Sequence, residues 1–446
     1  MADVSMVRAI ASAPSWYEMA CGLLEVWRSR DKGHVSWRAD SDDGVYDRGA
    51  EWRADAQSLV ERMAVSGPSD ADREALVQMA KTGRSPLDAA YDLGWVIDAR
   101  FWPTFTDSWV ADRENFILGT GEFFPTVDAP LELLPVQPPT SRPWALDPPR
   151  DELCHVRVMR SHPGFAVRID ARVSATLDSI LLAARRLVAV QPNDSLAEIA
   201  VPRGPRFHGV QPADPVRQSR ILVDICTQAL SEAEIVVVPE CAVTRSIVTD
   251  LQRVVDASAL DRLLVAGSVH ETVRGKRRNV AYALLPDEPE PLTHDKFVPY
   301  QSDTDLEDIE PDDPATITVY MSNRCRLAIG ICKDLFNDEA VGVLGRVGVN
   351  LVLVPAMSGK TDGFAAQLGR LVSLAQTVGV VANNPRTWRD RSGRALHPAA
   401  AVFSQPLEGH PMVVWPSGSG DSALPPGYCT LDLGEASARF VHRHIV

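Results

Sequence analysis

The stretch AIGICKDLF, Ala328 to Phe336, runs from an apolar segment into a Lys-Asp pair through one thiol, Cys332. A short apolar run bounded by charge reads as a buried strand. Buried cysteines usually behave as small inert hydrophobes. A cysteine at a strand terminus, beside charge, is instead a candidate nucleophile. Runs of the same kind recur on either side: AEIAV (197–201), EIVVVPE (234–240), RLLVAGSV (262–269), NVAYALLP (279–286), LVLVPA (351–356) and VVANN (380–384). Between them the spacing predicts helices near 216–230, 245–257 and 364–378. This alternation is the pattern of an α/β layered domain. The nearly unbroken Val/Ile/Leu content predicts strands covered on both faces.

Three of these segments present a reactive side chain at a strand end or in a polar loop. EIVVVPE ends in Glu240, THDKFVPYQ carries Lys296, and AIGICKDLF carries Cys332. In that order they resemble the Glu–Lys–Cys triad of the nitrilase, or carbon–nitrogen hydrolase, superfamily. LLVAGSVHETVRGKRRNVAYALLPD is similar to that family's hairpin, in which an apolar strand reaches a glycine and leads into an asparagine-containing strand. NLVLVPAMSG resembles the strand and loop that follow the nucleophile, and LVSLAQTVGVVANN a later helix–strand unit ending in Asn. CTLDLGEASARF is similar to the terminal strand. The resemblance covers roughly 195–446 and implies an α-β-β-α sandwich there. Taken singly, each residue has a plainer reading: a packed Cys, a solvated Lys, a Glu favoured by a helix dipole. The joint order and setting carry the assignment.

The chemistry fits these residue types. An amide carbon is a poor electrophile, and a free thiol is largely protonated at neutral pH, so it needs a base or a positive charge nearby. Glu240 is expected to act as general base, towards Cys332 and then towards water. Lys296, with the backbone N–H of Lys333, is expected to stabilise the tetrahedral anion. The resemblance also implies a supporting glutamate between lysine and cysteine. DTDLEDIEP offers Glu307 and Glu310, and Glu307 lies at the more usual distance. Lys333, Asp334 and Met357 are the expected oxyanion and substrate-binding positions. Because the thiol does the covalent work, no metal or organic cofactor is expected. His294 and His397 are weaker candidates for the pocket wall.

Two departures from the family pattern bear on substrate. The residues after the nucleophile are Lys333 and Asp334, where many members carry an aromatic and then an acid, and Asp334 can orient a backbone turn without touching substrate. RALHPAAAVFSQPLEG lacks the small-residue Gly-x-Ser signature. A linear amide is the expected substrate, ahead of a nitrile. An N-acyltransferase using the same triad is the alternative enzyme, and a regulated effector or scaffold is the alternative of another class. The family resemblance also implies a homo-oligomer formed through the sandwich.

The N-terminal part has a different texture. SWYEMACGLLEVWRSR (15–30), EWRADAQSLVERMAV (51–65) and DADREALVQMAKTG (70–83) space apolar residues as amphipathic helices, with Ser69 or Asp70 as an N-cap and Gly83 as a stop. Seven of the ten tryptophans precede residue 110, which argues for a core of its own. The organisation expected is a helical domain over 1–120, a proline-rich linker with a short α/β segment over 121–194, and the hydrolase domain over 195–446. Eight prolines between Pro125 and Pro149 support extended chain there. HVRVMR (155–160) and FAVRID (165–170) read as strands, followed by a helix near 175–190. A protein partner of the helical domain is a further expectation.

Composition narrows the function classes. A net charge of −14 argues against a nucleic-acid or anionic-membrane binder. RGKRR, Arg274 to Arg278, is the local exception and reads as a solvated hairpin tip. The seven cysteines are scattered with no CxxC pair, which suits a reducing cytoplasm better than a disulfide framework or zinc site. The first residues lack the apolar core of a signal peptide. No apolar run reaches the roughly 18 residues of a membrane span.

Overall fold

The unbroken apolar runs form the interiors of two sheets. In the eight-stranded sheet, Phe165–Asp170, Ala315–Met321, Arg326–Ile329, Leu351–Met357 and Val378–Asn384 lie side by side in that order. The last three run parallel, with Leu327 opposite Leu351 and Leu351 opposite Val378. Every residue of Arg326–Ile329 and of Val378–Asn384 is buried, as expected where both faces are covered. In the seven-stranded sheet, Leu263–Val273 pairs with Ile235–Val237 on one side and Lys276–Leu284 on the other. Arg186–Gln191 follows Ile235–Val237, and Gly427–Asp432 with Ser437–His442 closes that edge. The computed structural model describes residues 2–29, 45–82, 85–111, 113–127, 153–160, 162–202, 204–258, 260–389, 395–406, 411–415, 426–434 and 437–442. Most of the proline-rich tract and the helix stop expected at Gly83 lie outside the described residues.

The two sheets face one another, giving four layers. Helices Pro215–Glu232 and Arg245–Asp256 cover one outer face, and Asp362–Ala375, with Asp338–Val347 against it, covers the other. Their starts are set locally. The Asp214 side chain accepts from Arg217 N ahead of Pro215, Thr244 accepts from Ile247 N, and Asn337 accepts from Ala340 N. Buried amides tie the sheets together at the ends that matter for the site. Gln191 Nε2 donates to Asn383 O at 2.9 Å and Asn384 Nδ2 to Asn193 Oδ1 at 2.9 Å, while Gln218 Nε2, from the helix Pro215–Glu232, also donates to Asn193 Oδ1 at 3.1 Å.

Several sequence expectations shift. The sandwich does not begin at 195: Phe165–Asp170 and Arg186–Gln191 are already strands of its two sheets. The helix expected over 175–190 stops at Ala183, since Arg186–Gln191 is needed as the strand between Ile235–Val237 and Gly427–Asp432. AEIAV is not a core strand. It is a 3-10 turn, Leu196–Glu198, followed by the two-residue strand Ile199–Ala200.

The chain divides into two compact units, the first holding residues 1–114, 119–127 and 137–161, the second the remainder. In the first, the helices are Ala2–Ser12, Trp16–Arg28, Val45–Val60, Asp70–Lys81, Pro86–Phe101 and Phe105–Val110. Ser69 caps the fourth through a reciprocal bond with Asp72. Trp16 stacks on Phe101 with centroids 4.1 Å apart inside a core that includes Leu23, Ile97 and Phe105. Phe123–Pro125 pairs with Val156–Val158 in this unit, so the segment 121–194 is shared between the two units. Among the described residues no helix is long and apolar enough to cross a membrane.

RGKRR sits at the tip of the hairpin between Leu263–Val273 and Lys276–Leu284, where Arg274 and Gly275 both have positive φ. Lys276, Arg277 and Arg278 are met by Asp308, Glu310 and Asp312. Lower in the same hairpin, Gly267 has φ +75, and a Cβ there would lie 2.3 Å from the Pro239 carbonyl oxygen. Gly267 therefore lets the strand press against the residue that precedes Glu240. Gly275 also has positive φ, but nothing lies within 4 Å of its Cβ position. Gly267→Ala is expected to cost more than the about 1–3 kcal/mol of a strained φ alone, and Gly275→Ala no more than that. Urea unfolding midpoints of the two variants measure the difference, and equal losses would refute the close approach.

Candidate active site

Four strand ends deliver the side chains. Glu240 follows Ile235–Val237, Lys296 follows Leu292–Asp295, Glu307 closes Leu306–Glu307, and Cys332 follows Arg326–Ile329 and opens the 3-10 segment Cys332–Phe336. Strand ends hold a side chain rigidly from below while leaving its tip free. Cys332 has φ +47 and Cys241, beside Glu240, has φ +56. Non-glycine residues in this left-handed region are uncommon and cost energy, and such strain concentrates at functional sites. At Cys332 the turn lifts the thiol off the end of its strand.

Lys296 is sealed between two carboxylates. Its Nζ donates to Glu240 Oε1 at 2.7 Å and to Glu307 Oε2 at 2.6 Å, and all three side chains are at most 5% exposed. Asn279 Nδ2 bridges the same pair, 3.0 Å from Glu240 Oε1 and 2.8 Å from Glu307 Oε1. Glu307 also accepts from Tyr300 N at 2.7 Å and from His270 Nε2 at 3.0 Å, so it has four donors. Glu310, the other acidic candidate, is exposed and bound to Arg277.

The two carboxylates are driven apart by their surroundings. Burial raises the Glu240 pKa, Lys296 pulls it back, and the charge on Glu307 adds to the rise; the net shift is upward. Burial acts upward on Glu307 too, but Lys296 and His270 outweigh it and hold that acid well below the usual carboxylate range. Burial would strip the proton from Lys296, yet Glu240 and Glu307 together keep it charged. The Cys332 thiol is pushed up by burial and then by the Glu240 charge, so it rests protonated. The arrangement thus contains a basic carboxylate, an anchoring carboxylate, a fixed cation and a protonated thiol.

A cavity of about 240 Å³ joins these groups. Glu240, Lys296, Glu307, Cys332 and Met357 all line it, and the Cys332 thiol lies 3.9 Å from the Met357 carbonyl oxygen. Its walls include Phe207, Val210, Tyr300 and Trp388. Two expected pocket residues have their side chains elsewhere. Lys333 Nζ donates to Gln301 O at 3.0 Å and lies over the Tyr300 ring. Asp334 is buried and fully used: Oδ1 accepts from Phe297 N and Val298 N, Oδ2 from Ile331 N and His294 Nε2. Asp334 does not line the cavity. It pins the loop carrying Lys296 to the turn carrying Cys332, because one carboxylate can bind donors from both. His294 is spent on that bond, and His397 is exposed.

The sequence reading missed His270, Asn279, Tyr300 and Trp388. Asn279 was visible as the asparagine of the hairpin's second strand, without a role. His270 and Tyr300 left no signal, since their parts depend on which side chain meets Glu307 in space.

Among solved structures, the chain is similar to an amidase from Nesterenkonia sp., at 16% identity over 56% of this chain and 90% of that chain, with a TM-score of 0.41. A mutant of the Nesterenkonia sp. AN1 amidase, with the acetamide moiety of fluoroacetamide added at its active-site cysteine, matches with the same values. Nit3 of Saccharomyces cerevisiae, a member of branch 10 of the nitrilase superfamily, matches at 16% identity over 58% of this chain and 93% of that chain, with a TM-score of 0.41. No family model matches the chain, and no curated protein does.

The charge pattern makes a signed prediction about the thiol. Glu240 raises the Cys332 pKa and Lys296 lowers it. The pH midpoint for alkylation of Cys332 by iodoacetamide should therefore fall in Glu240→Gln and rise in Lys296→Gln. Peptide mapping of the alkylated protein at several pH values reads both shifts, and movement in the same direction would contradict the assignment.

Proposed function

We propose that this chain is a cysteine-dependent hydrolase of a non-peptide carbon–nitrogen bond, of the nitrilase type, acting on a small linear amide. One observation carries the reading: a thiol on a left-handed turn at a strand end shares one cavity with a carboxylate of raised pKa and a buried, doubly ion-paired lysine. Each supplies what amide cleavage requires. The Cys332 sulfur attacks the carbonyl carbon as its proton passes to Glu240, so a free thiolate is never stored. The carbonyl oxygen becomes an anion, facing the Lys296 ammonium and the Lys333 N–H. That N–H lies in the first turn of its 3-10 segment, where backbone donors lack an intrahelical acceptor.

The C–N bond then breaks, with Glu240 returning its proton to the departing amine and leaving a thioester on Cys332. Water enters and adds to the carbonyl carbon as Glu240 takes one of its protons, and the second tetrahedral anion collapses, releasing the acid while Glu240 returns that proton to the Cys332 sulfur. Glu307 stays ionised throughout and keeps Lys296 in place. A cavity of about 240 Å³ is below the usual span for drug-sized ligands, which fits a small substrate.

Cys332→Ala should abolish turnover with the fold intact, and Lys296→Gln should lose about 10²–10³ in kcat, the scale of an oxyanion donor. The substrate is found by mass spectrometry of small-molecule extracts treated with wild type or Cys332→Ala. A compound consumed only by wild type, with –OH replacing –NH2 in the product, identifies an amide. Consumption by both proteins would sink the proposal. The acid limb of kcat/KM should lie above the ordinary carboxylate range, because the base must be ionised and its pKa is raised. In Glu307→Gln that limb should move to lower pH, since the like charge that helps raise Glu240 is gone.

A further inference from the structure

His270 is part of the cavity wall and joins it to the anchoring carboxylate. Its side chain is 1% exposed. Nδ1 accepts from two backbone donors, Gly209 N at 3.0 Å and Val210 N at 3.3 Å. A nitrogen that accepts twice carries no proton, so the ring proton sits on Nε2 and is donated to Glu307 Oε1 at 3.0 Å. The tautomer is thus set by the wall, and the catalytic end of the ring is a donor because of it. Val210 and Phe207, on the same loop, line the cavity, and Phe207 and His208 both stack on the His270 ring. Beyond Glu307 the chain of contacts continues to Lys296 and then to Glu240.

We propose that His270 is a positioning residue that couples the loop at Phe207–Val210 to Lys296: Nδ1 holds the loop, Nε2 holds Glu307, and Glu307 holds the ammonium. This rests on the hydrolase reading for its consequence, though not for its geometry. Substrate contacts on the wall then steady the oxyanion donor as well as the ground-state complex. Binding energy from a non-reacting part of the substrate is expressed in kcat and not solely in KM. The ring faces Glu307 on one side and stacked His208 on the other, with Lys296 and Glu240 one contact further.

Two substitutions separate the two ends of the ring. In His270→Asn the amide oxygen can occupy the Nδ1 position, keeping the loop bonds and losing the Glu307 donor. In His270→Gln the amide nitrogen can reach the Nε2 position, keeping Glu307 and losing the loop acceptor. Amide hydrogen exchange of the peptide spanning Gly209 and Val210, and the pH profile of Cys332 alkylation by iodoacetamide, read these effects without any substrate. The expected result is crossed. His270→Gln speeds exchange of the loop with an alkylation profile near that of wild type. His270→Asn leaves exchange slow and moves the alkylation profile to higher pH, the direction of Lys296→Gln, because a loosened ammonium lowers the thiol pKa less. With propionamide, or the amide found above, His270→Asn should lose roughly tenfold in kcat, the scale of one hydrogen bond to a charged group, while His270→Gln loses mainly in KM. Equal effects of both variants on both readouts, or none, would overturn the proposal, because a packing role does not distinguish the two nitrogens. Failure of the hydrolase reading shows separately, as turnover that survives Cys332→Ala.

Discussion

The burial of one ammonium group between two carboxylates is the constraint around which the second unit is arranged. Bringing Lys296, Glu240 and Glu307 out of water is costly, and their mutual attraction offsets that cost only if geometry is good and remaining lone pairs are satisfied. Asn279, Tyr300 N and His270 supply those bonds. The cluster carries one more negative than positive charge, and the surplus falls on Glu240, which has fewer donors than Glu307. Two chemically alike acids thereby acquire different tasks. Removing one member of such a buried set typically costs about 3–5 kcal/mol, so the machinery also contributes to the fold.

A second carboxylate organises the site from behind. Asp334 gathers donors from the residue before Cys332 and from the loop that carries Lys296. Cys332 and Lys296 come from different sheets, yet their backbones are fixed by one side chain. The amides Gln191, Asn193, Asn383 and Asn384 serve the same end, bridging the sheets where the strands finish. Rigid sheets with a strained turn between them hold the thiol to the small tolerance that the proposed attack on a carbonyl needs.

Much of this was legible in the chain. EIVVVPE, RLAIGIC and LVLVPA announced buried strands because only strands covered on both faces tolerate such unbroken apolar runs. Glu240, Lys296 and Cys332 stood out since each is a reactive group where such a run meets polar sequence. Glu307 was preferred over Glu310 on spacing, and the fold places Glu307 against Lys296 and Glu310 on Arg277. The less readable parts had weaker local signals. Arg186–Gln191 followed a helix so closely that periodicity merged the two, and only pairing with Ile235–Val237 and Gly427–Asp432 sets the boundary.

What the sequence by itself determined is which reactive side chains stand at strand ends and the layered α/β pattern, because residue type and hydrophobic period are local properties. What only the tertiary structure decided is the division of labour. Which acid is basic, which is spent on anchoring, and whether Asp334 lines the cavity all depend on the hydrogen-bond donors that reach each group. Those donors come from His294, Phe297, Tyr300, Asn279 and His270, on separate strands and loops that fold chemistry alone brings within 3.1 Å. Burial depth and proximity are properties of the packed chain, and they set the pKa values on which the proposed reaction runs.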